Sequence, residues 1–256
     1  MLNDILIILK KYFYIILIVF LFGLNVLCQR NRPLNLERLD LQVAHFGYSL
    51  GLNLMDFTIR PSDSFLIDFP NDTVFAVEVG RYVGFNVNMI ANLRLGKYLD
   101  IRFLPGLNFG QRALYYKYIK YGEFQKKAMM IESTFIDFPI ILKYKAERIN
   151  NWRPFLIAGV AGKADLASQK KIREEELPKI RLKRWDVYYE IGMGADFFLE
   201  YFMFGIELKA SWGIGNIVDF DRTQFTSYYK RLNSRMLHLS FHFEGGKIDF
   251  FKVRKI

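Results

Sequence analysis

Glu190, Glu207, His238, Ser240 and His242 are the residues of this chain whose types suggest covalent chemistry. A serine hydroxyl becomes nucleophilic when a histidine takes its proton and a third group orients that histidine. Such a set could hydrolyse esters, those of lipids among them. Here His238, Ser240 and His242 follow one another at spacing two, which the alternation of a strand produces unaided. They also share the polar wall of their strand, opposite Leu237, Leu239, Phe241 and Phe243, whereas a lipid hydrolase needs them on the wall its substrate touches. No catalytic role is expected. Metal-ligand clusters and phosphate-binding glycine loops are absent from the sequence, and its glycines follow the period of strands. No metal, cofactor or small-molecule substrate is therefore expected.

The remaining charged residues fall into three groups. The first alternates with apolar residues: Arg94, Asp100, Arg102, Asp137, Lys143, Glu190, Asp196, Glu207 and Lys209. Buried charges are costly unless paired. Their near balance of sign predicts ion pairs that interlock in the interior, which leaves no selective pore. The second group is Lys170, Lys171, Arg173, Lys179, Arg181, Lys183 and Arg184, around Glu174, Glu175 and Glu176. These cations either grip lipopolysaccharide phosphates or form a solvated loop. The third is a basic tail, 245–256, whose Phe250 and Phe251 either dock a periplasmic partner or belong to a disordered end. The net charge of +10 fits anionic lipid head groups; without a nucleic-acid motif, no nucleic-acid partner is expected.

The elements that position these residues are strands. From Val83 to Leu95, Val83, Phe85, Val87, Met89, Ala91, Leu93 and Leu95 alternate with Gly84, Asn86, Asn88, Ile90, Asn92 and Arg94. Soluble strands run about 5–6 residues, and a tilted strand crossing a bilayer needs about 9–11. Seven more segments repeat the pattern: 45–55, 99–114, 132–144, 153–164, 186–199, 202–214 and 236–243. The fifth strand, 153–164, is small and apolar on both faces. Connections alternate strictly in length. Short turns fall at 96–98, 147–152 and 200–201, and long ones at 56–80, 115–131, 165–184 and 215–235. Eight antiparallel strands with that rhythm predict an all-β, up-and-down transmembrane β-barrel, with long loops outside and both termini in the periplasm.

Alternation alone does not say which wall is outermost, because a soluble barrel would turn its apolar wall inward. The polar walls here consist of Gly, Asn and Ser, poor residues for a water-facing sheet but suited to the crowded interior of eight strands. Tyr48, Tyr98, Phe109, Tyr144 and Trp212 lie near strand ends of the apolar walls, as head-group girdles do. The lipid-facing assignment follows. Ahead of the barrel (45–244), residues 1–28 read as a cleaved signal peptide: Lys10 and Lys11, an apolar run from Tyr12 to Leu27, and small residues Val26 and Cys28 at the cleavage site. Residues 29–44 form a periplasmic leader. Removing Cys28 leaves no cysteine in the mature chain.

Several segments resemble a known family. HFGYSLGLNLMDF (His45–Phe57), LPGLNFGQR (Leu104–Arg112), ESTFIDFPIILKYKAERINNWRPFLIAGV (Glu132–Val160), ASWGIGN (Ala210–Asn216) and the closing LHLSFHFE are similar to the PorT family of Bacteroidetes. The STFIDFP–LKYK block is the most specific, since alternation would not select its Asp-Phe-Pro. The resemblance implies a non-enzymatic outer-membrane component of the type IX protein secretion system. Such a protein supports export of cargo with C-terminal signals, and gliding in some relatives, through other secretion proteins. The basic tail departs from the usual ending near the last strand. The alternative is a general surface-binding or adhesin barrel of the small OmpA/OmpX architecture, acting through its outer loops.

Overall fold

The computed structural model of the protein describes residues 33–61, 74–120, 123–168, 182–218 and 229–245. All but Pro33 and Leu34 belong to one compact unit, Asn35–Ile256. After a short helix α1 (Glu37–Leu41), the segments are β1 (Ala44–Pro61), β2 (Val74–Arg81), β3 (Val83–Arg94), β4 (Leu99–Phe103), β5 (Gly106–Lys120), β6 (Glu123–Lys145), β7 (Trp152–Asp165), β8 (Trp185–Phe198), β9 (Met203–Gly213) and β10 (Tyr229–Glu244). All pairings are antiparallel: β2 pairs β5, β3 pairs β4 and β5, β4 and β5 pair β6, β6 to β10 pair in succession, and β1 closes the ring by pairing β3 on one edge and β10 on the other.

Ten segments make eight strands. Between β4 and β5, Pro105 has no N–H to give to the ladder, yet the register runs through. Ala91 faces Phe103 and Asn88 faces Gly106, each three residues on. Between β2 and β3, Tyr82 is one extra residue: Arg81 faces Arg112, and four residues later Phe85 faces Phe109, only three residues back. That is a β-bulge, which bends a strand and re-aims its side chains.

The apolar wall faces outward. Phe85, Val87 and Leu208 are 53%, 43% and 46% exposed, while Asn86, Asn92 and Asn108 are buried inside. An apolar belt this extensive is the surface a bilayer covers. Glycine on the inner wall answers crowding: a Cβ on Gly84 would lie 2.5 Å from Asn53 Oδ1 and 2.9 Å from Gly110 Cα. Substituting the outer wall should therefore cost more than trimming the inner one. Val87→Arg is expected to destabilise the folded barrel by about 2–4 kcal/mol, and Asn88→Ser to be mild, in urea titrations of vesicle-inserted protein. The reverse ranking would invert the two walls.

The strands extend further than the sequence pattern suggests. The expected loop 115–131 is a hairpin in which β5 continues to Lys120 and β6 starts at Glu123. At this end the contrast changes sign. Phe57, Leu114, Tyr116, Met129, Tyr229 and Leu232 pack inward with Leu182, Ile217 and Val218, and Glu78, Lys117 and Lys126 lie on the outside. The protruding end of the barrel thus has the inside of a water-soluble protein.

Candidate functional site

The inner wall carries charge in clusters set by register. β4 brings Arg102 (1% exposed) to Glu244 Oε1 at 2.7 Å, to Glu207 Oε2 at 3.5 Å and to Asn92 Oδ1 at 3.2 Å. His45 Nε2 lies 2.7 Å from the other Glu244 oxygen, and His242 Nε2 3.3 Å from Glu207. Lys143 on β6 meets Asp196 at 2.7 Å beneath the ring of Phe155. Deeper along β6, Asp137 receives Lys163 at 2.6 Å; Lys163 also reaches Glu190 at 3.0 Å, and Glu190 takes Lys209 at 2.9 Å and the Ser211 hydroxyl at 2.8 Å. Asp100 accepts from Lys145 and from Asn92 at 3.1 Å.

Eight residues of the sequence-derived set, Asp100, Arg102, Asp137, Lys143, Glu190, Asp196, Glu207 and Lys209, are buried in the lumen. Arg94, the last residue of β3, sits instead at the rim. There it donates to the carbonyls of Gly96 (3.1 Å) and Asp40, because the last residue of the strand lies beyond the sealed interior that holds Asn86 and Asn92. Sequence reasoning left out Lys163, Arg112, Lys145, Arg153, Asp165 and Glu244. Arg112 is held by Ser133 (2.6 Å) and Ser234 (2.8 Å), with its guanidinium 4.1 Å from the Phe57 ring centroid. Among the described residues the buried lumen then holds seven Lys or Arg against seven Asp or Glu. Equal numbers of opposite charges, most of them in direct contact, offset the cost of burying each one.

The tempting catalytic set is sealed in the same interior. Ser240, His238 and His242 are all buried, and Ser240 Oγ accepts from Asn86 at 3.5 Å. Among the described residues no histidine reaches that hydroxyl, so the proton transfer a nucleophile needs has no partner. Neither lipid nor solvent reaches the group.

The two ends differ. At the short-turn end α1 closes the mouth: the Asp40 carboxylate binds Arg148 at 2.9 Å and Arg153 at 2.8 Å, and Leu39 packs on Phe198 and Met203. On the adjacent turns Lys97 pairs with Glu147 at 2.7 Å in solvent. Hydrogen bonding from Lys97 holds the Glu147 carboxyl below its ordinary range, and the same bond raises the Lys97 ammonium. At the long-connection end Lys183 and Arg184 are exposed; Lys170, Lys171, Arg173, Lys179 and Arg181 lie outside the described residues, as do Phe250, Phe251 and the signal segment.

A sequence model of the family described as outer membrane protein beta-barrel domain matches residues 29–219. Similar solved structures include Neisserial surface protein A, at 12% identity over 79% of this chain and 99% of that one, with a TM-score of 0.41. OprG from Pseudomonas aeruginosa is 10% identical over 80% and 98%, with a TM-score of 0.43. Ail, the attachment invasion locus protein of Yersinia pestis, is 9% identical over 79% and 99%, with a TM-score of 0.37. No curated protein matches the chain.

Proposed function

The chain belongs to the outer membrane protein beta-barrel domain family, and from that premise we propose that it is a non-conducting binding barrel acting through its ends. The observation that carries this is the protruding end. There β1, β5, β6 and β10 enclose an apolar core of their own, which makes a rigid platform for the long connections. With the lumen filled, binding is what remains for the barrel to do. The long connections face the cell exterior in this reading, and both termini and the short turns face the periplasm. Two measurements test it. Purified barrel in planar bilayers should show little ion conductance, and porin-like conductance would refute closure. Shortening the connection 165–184 should abolish retention of the purified barrel on host-cell or matrix surfaces. Orientation is read by Tyr201→Cys, at a short turn: a membrane-impermeant maleimide should leave it unlabelled on intact cells.

A more specific reading places the barrel in type IX secretion, as a periplasm-facing accessory of a pore made elsewhere. The resemblance of Glu132–Val160 to the PorT family supports it. Ser133, Asp137, Lys143 and Lys145, within the block that carries most of that resemblance, all turn inward to hold Arg112, Lys163, Asp196 and Asp100. The block is therefore needed to pack this lumen. Deleting the gene in its native organism should block surface delivery of cargo with C-terminal signals. Normal delivery would leave the general binding barrel standing alone.

A further inference from the structure

On the outer wall, where the apolar belt ends, two arginines share one carboxylate. Asp56 Oδ2 accepts from Arg81 Nε at 2.9 Å and from the guanidinium of Arg235, while Oδ1 accepts the backbone N–H of Phe57 at 2.8 Å. The Asp56 side chain is 7% exposed, and those of Arg81 and Arg235 are 59% and 42% exposed. The bulge at Tyr82 delivers Arg81 to this place, and cross-strand register delivers Arg235 opposite Asp56. One carboxylate against two guanidiniums leaves net positive charge. One rung below are Leu54, Leu237 and Val83, directly paired across three strands. To one side Trp212 stacks on Tyr189 at 5.1 Å. Together Leu54, Asp56, Arg81, Ala210, Trp212 and Arg235 line most of a cavity of about 250 Å³.

Further toward the protruding end, Arg60 faces Arg231 directly across β1 and β10. Like charges in that position repel, and a bound anion would relieve them. Guanidiniums bind phosphate oxygens in a bidentate fork. A soluble anion would gain nothing from the apolar rung below, whereas a lipid phosphate brings acyl chains to it.

We infer that this cleft binds a phosphate of lipid A from the outer leaflet, with the acyl chains lying along Leu54, Leu237 and Ala210. The inference rests on the outward orientation of the long connections given above. It concerns the outer wall, not the platform's ligands.

The test uses the purified, refolded full barrel in detergent and native mass spectrometry with three lipids: phosphorylated lipid A, chemically dephosphorylated lipid A and phosphatidylglycerol. Dephosphorylation is expected to weaken binding at least about tenfold, the loss of one charge-assisted contact. The charge-neutral variant R81Q/D56N/R235Q should lose the same factor while keeping its folded gel mobility, and Lys97→Gln, at the opposite end, should bind as wild type. Equal binding of dephosphorylated lipid A, or unchanged binding by the triple variant, would overturn the site. Phosphatidylglycerol binding as tightly as lipid A would overturn the lipid A assignment, leaving a general head-group cleft. Binding in detergent does not depend on which way the barrel crosses a membrane, so its failure leaves the Tyr201→Cys result untouched. Labelled Tyr201→Cys on intact cells would place the cleft in the inner leaflet and overturn the assignment separately.

Discussion

Replacing Arg102 with methionine is expected to destabilise the barrel by about 3–5 kcal/mol, the cost of removing one partner from a buried ion pair. Arg102 bridges two carboxylates, Glu244 at 2.7 Å and Glu207 at 3.5 Å, and its guanidinium lies beside Phe155. Without it both carboxylates stay in the lumen with histidines for company, and Asn92 loses a donor. Methionine occupies much of the same volume, so the loss measures charge more than packing. The measurement is the urea midpoint for loss of folded gel mobility in lipid vesicles. Adding Glu244→Gln to the variant should recover part of the loss, because one orphaned charge is then gone. A single-variant loss under about 1 kcal/mol would mean that water reaches the carboxylates and hydrates them, and the closed-lumen reading would fail with it.

Much of this interior follows from alternation, because the period of a strand assigns each residue to a wall. Asn86, Arg102, Asp137 and Glu190 are each opposite in parity to exposed apolar neighbours, and each is buried. Pairing does not follow from alternation. Lys163 lies on β7, where Gly159, Ala161 and Gly162 blur the two walls; only the register that sets Asp137 opposite Lys163 makes it an ion-pair centre. The protruding end was hidden for a different reason. Beyond the belt the inner wall becomes apolar and the outer wall polar, so Leu114, Tyr116 and Met129 alternate with the opposite sense and resemble a loop's mixed composition. Helix α1 gives almost no local signal: it has five residues, and Leu36 at its start makes no side-chain cap. Its place at the mouth comes from Asp40 meeting Arg148 and Arg153, which are distant in sequence.

Lys163→Met is the second large loss expected, again about 3–5 kcal/mol, and its ranking against Lys209→Met is the sharper test. Lys163 is fully buried and bridges Asp137 at 2.6 Å and Glu190 at 3.0 Å. Removing it leaves Asp137, among the described residues, with the side-chain amide of Asn108 as its remaining side-chain donor. Lys209, by contrast, makes one direct ion pair among the described residues, to Glu190 at 2.9 Å, and its side chain keeps 9% exposure. After Lys209→Met, Glu190 still holds Lys163 and the Ser211 hydroxyl, so about 1.5–3 kcal/mol is expected, the scale of one hydrogen bond to a charged group. Pairing Lys163→Met with Asp137→Asn should restore more stability than pairing it with Glu190→Gln, because Glu190 keeps a second cation and Asp137 does not. Equal losses for the two lysines would show that the register-defined bridge is not the centre of this cluster. The charge would then be spread over a lumen able to rearrange, and the same barrel would be expected to conduct ions.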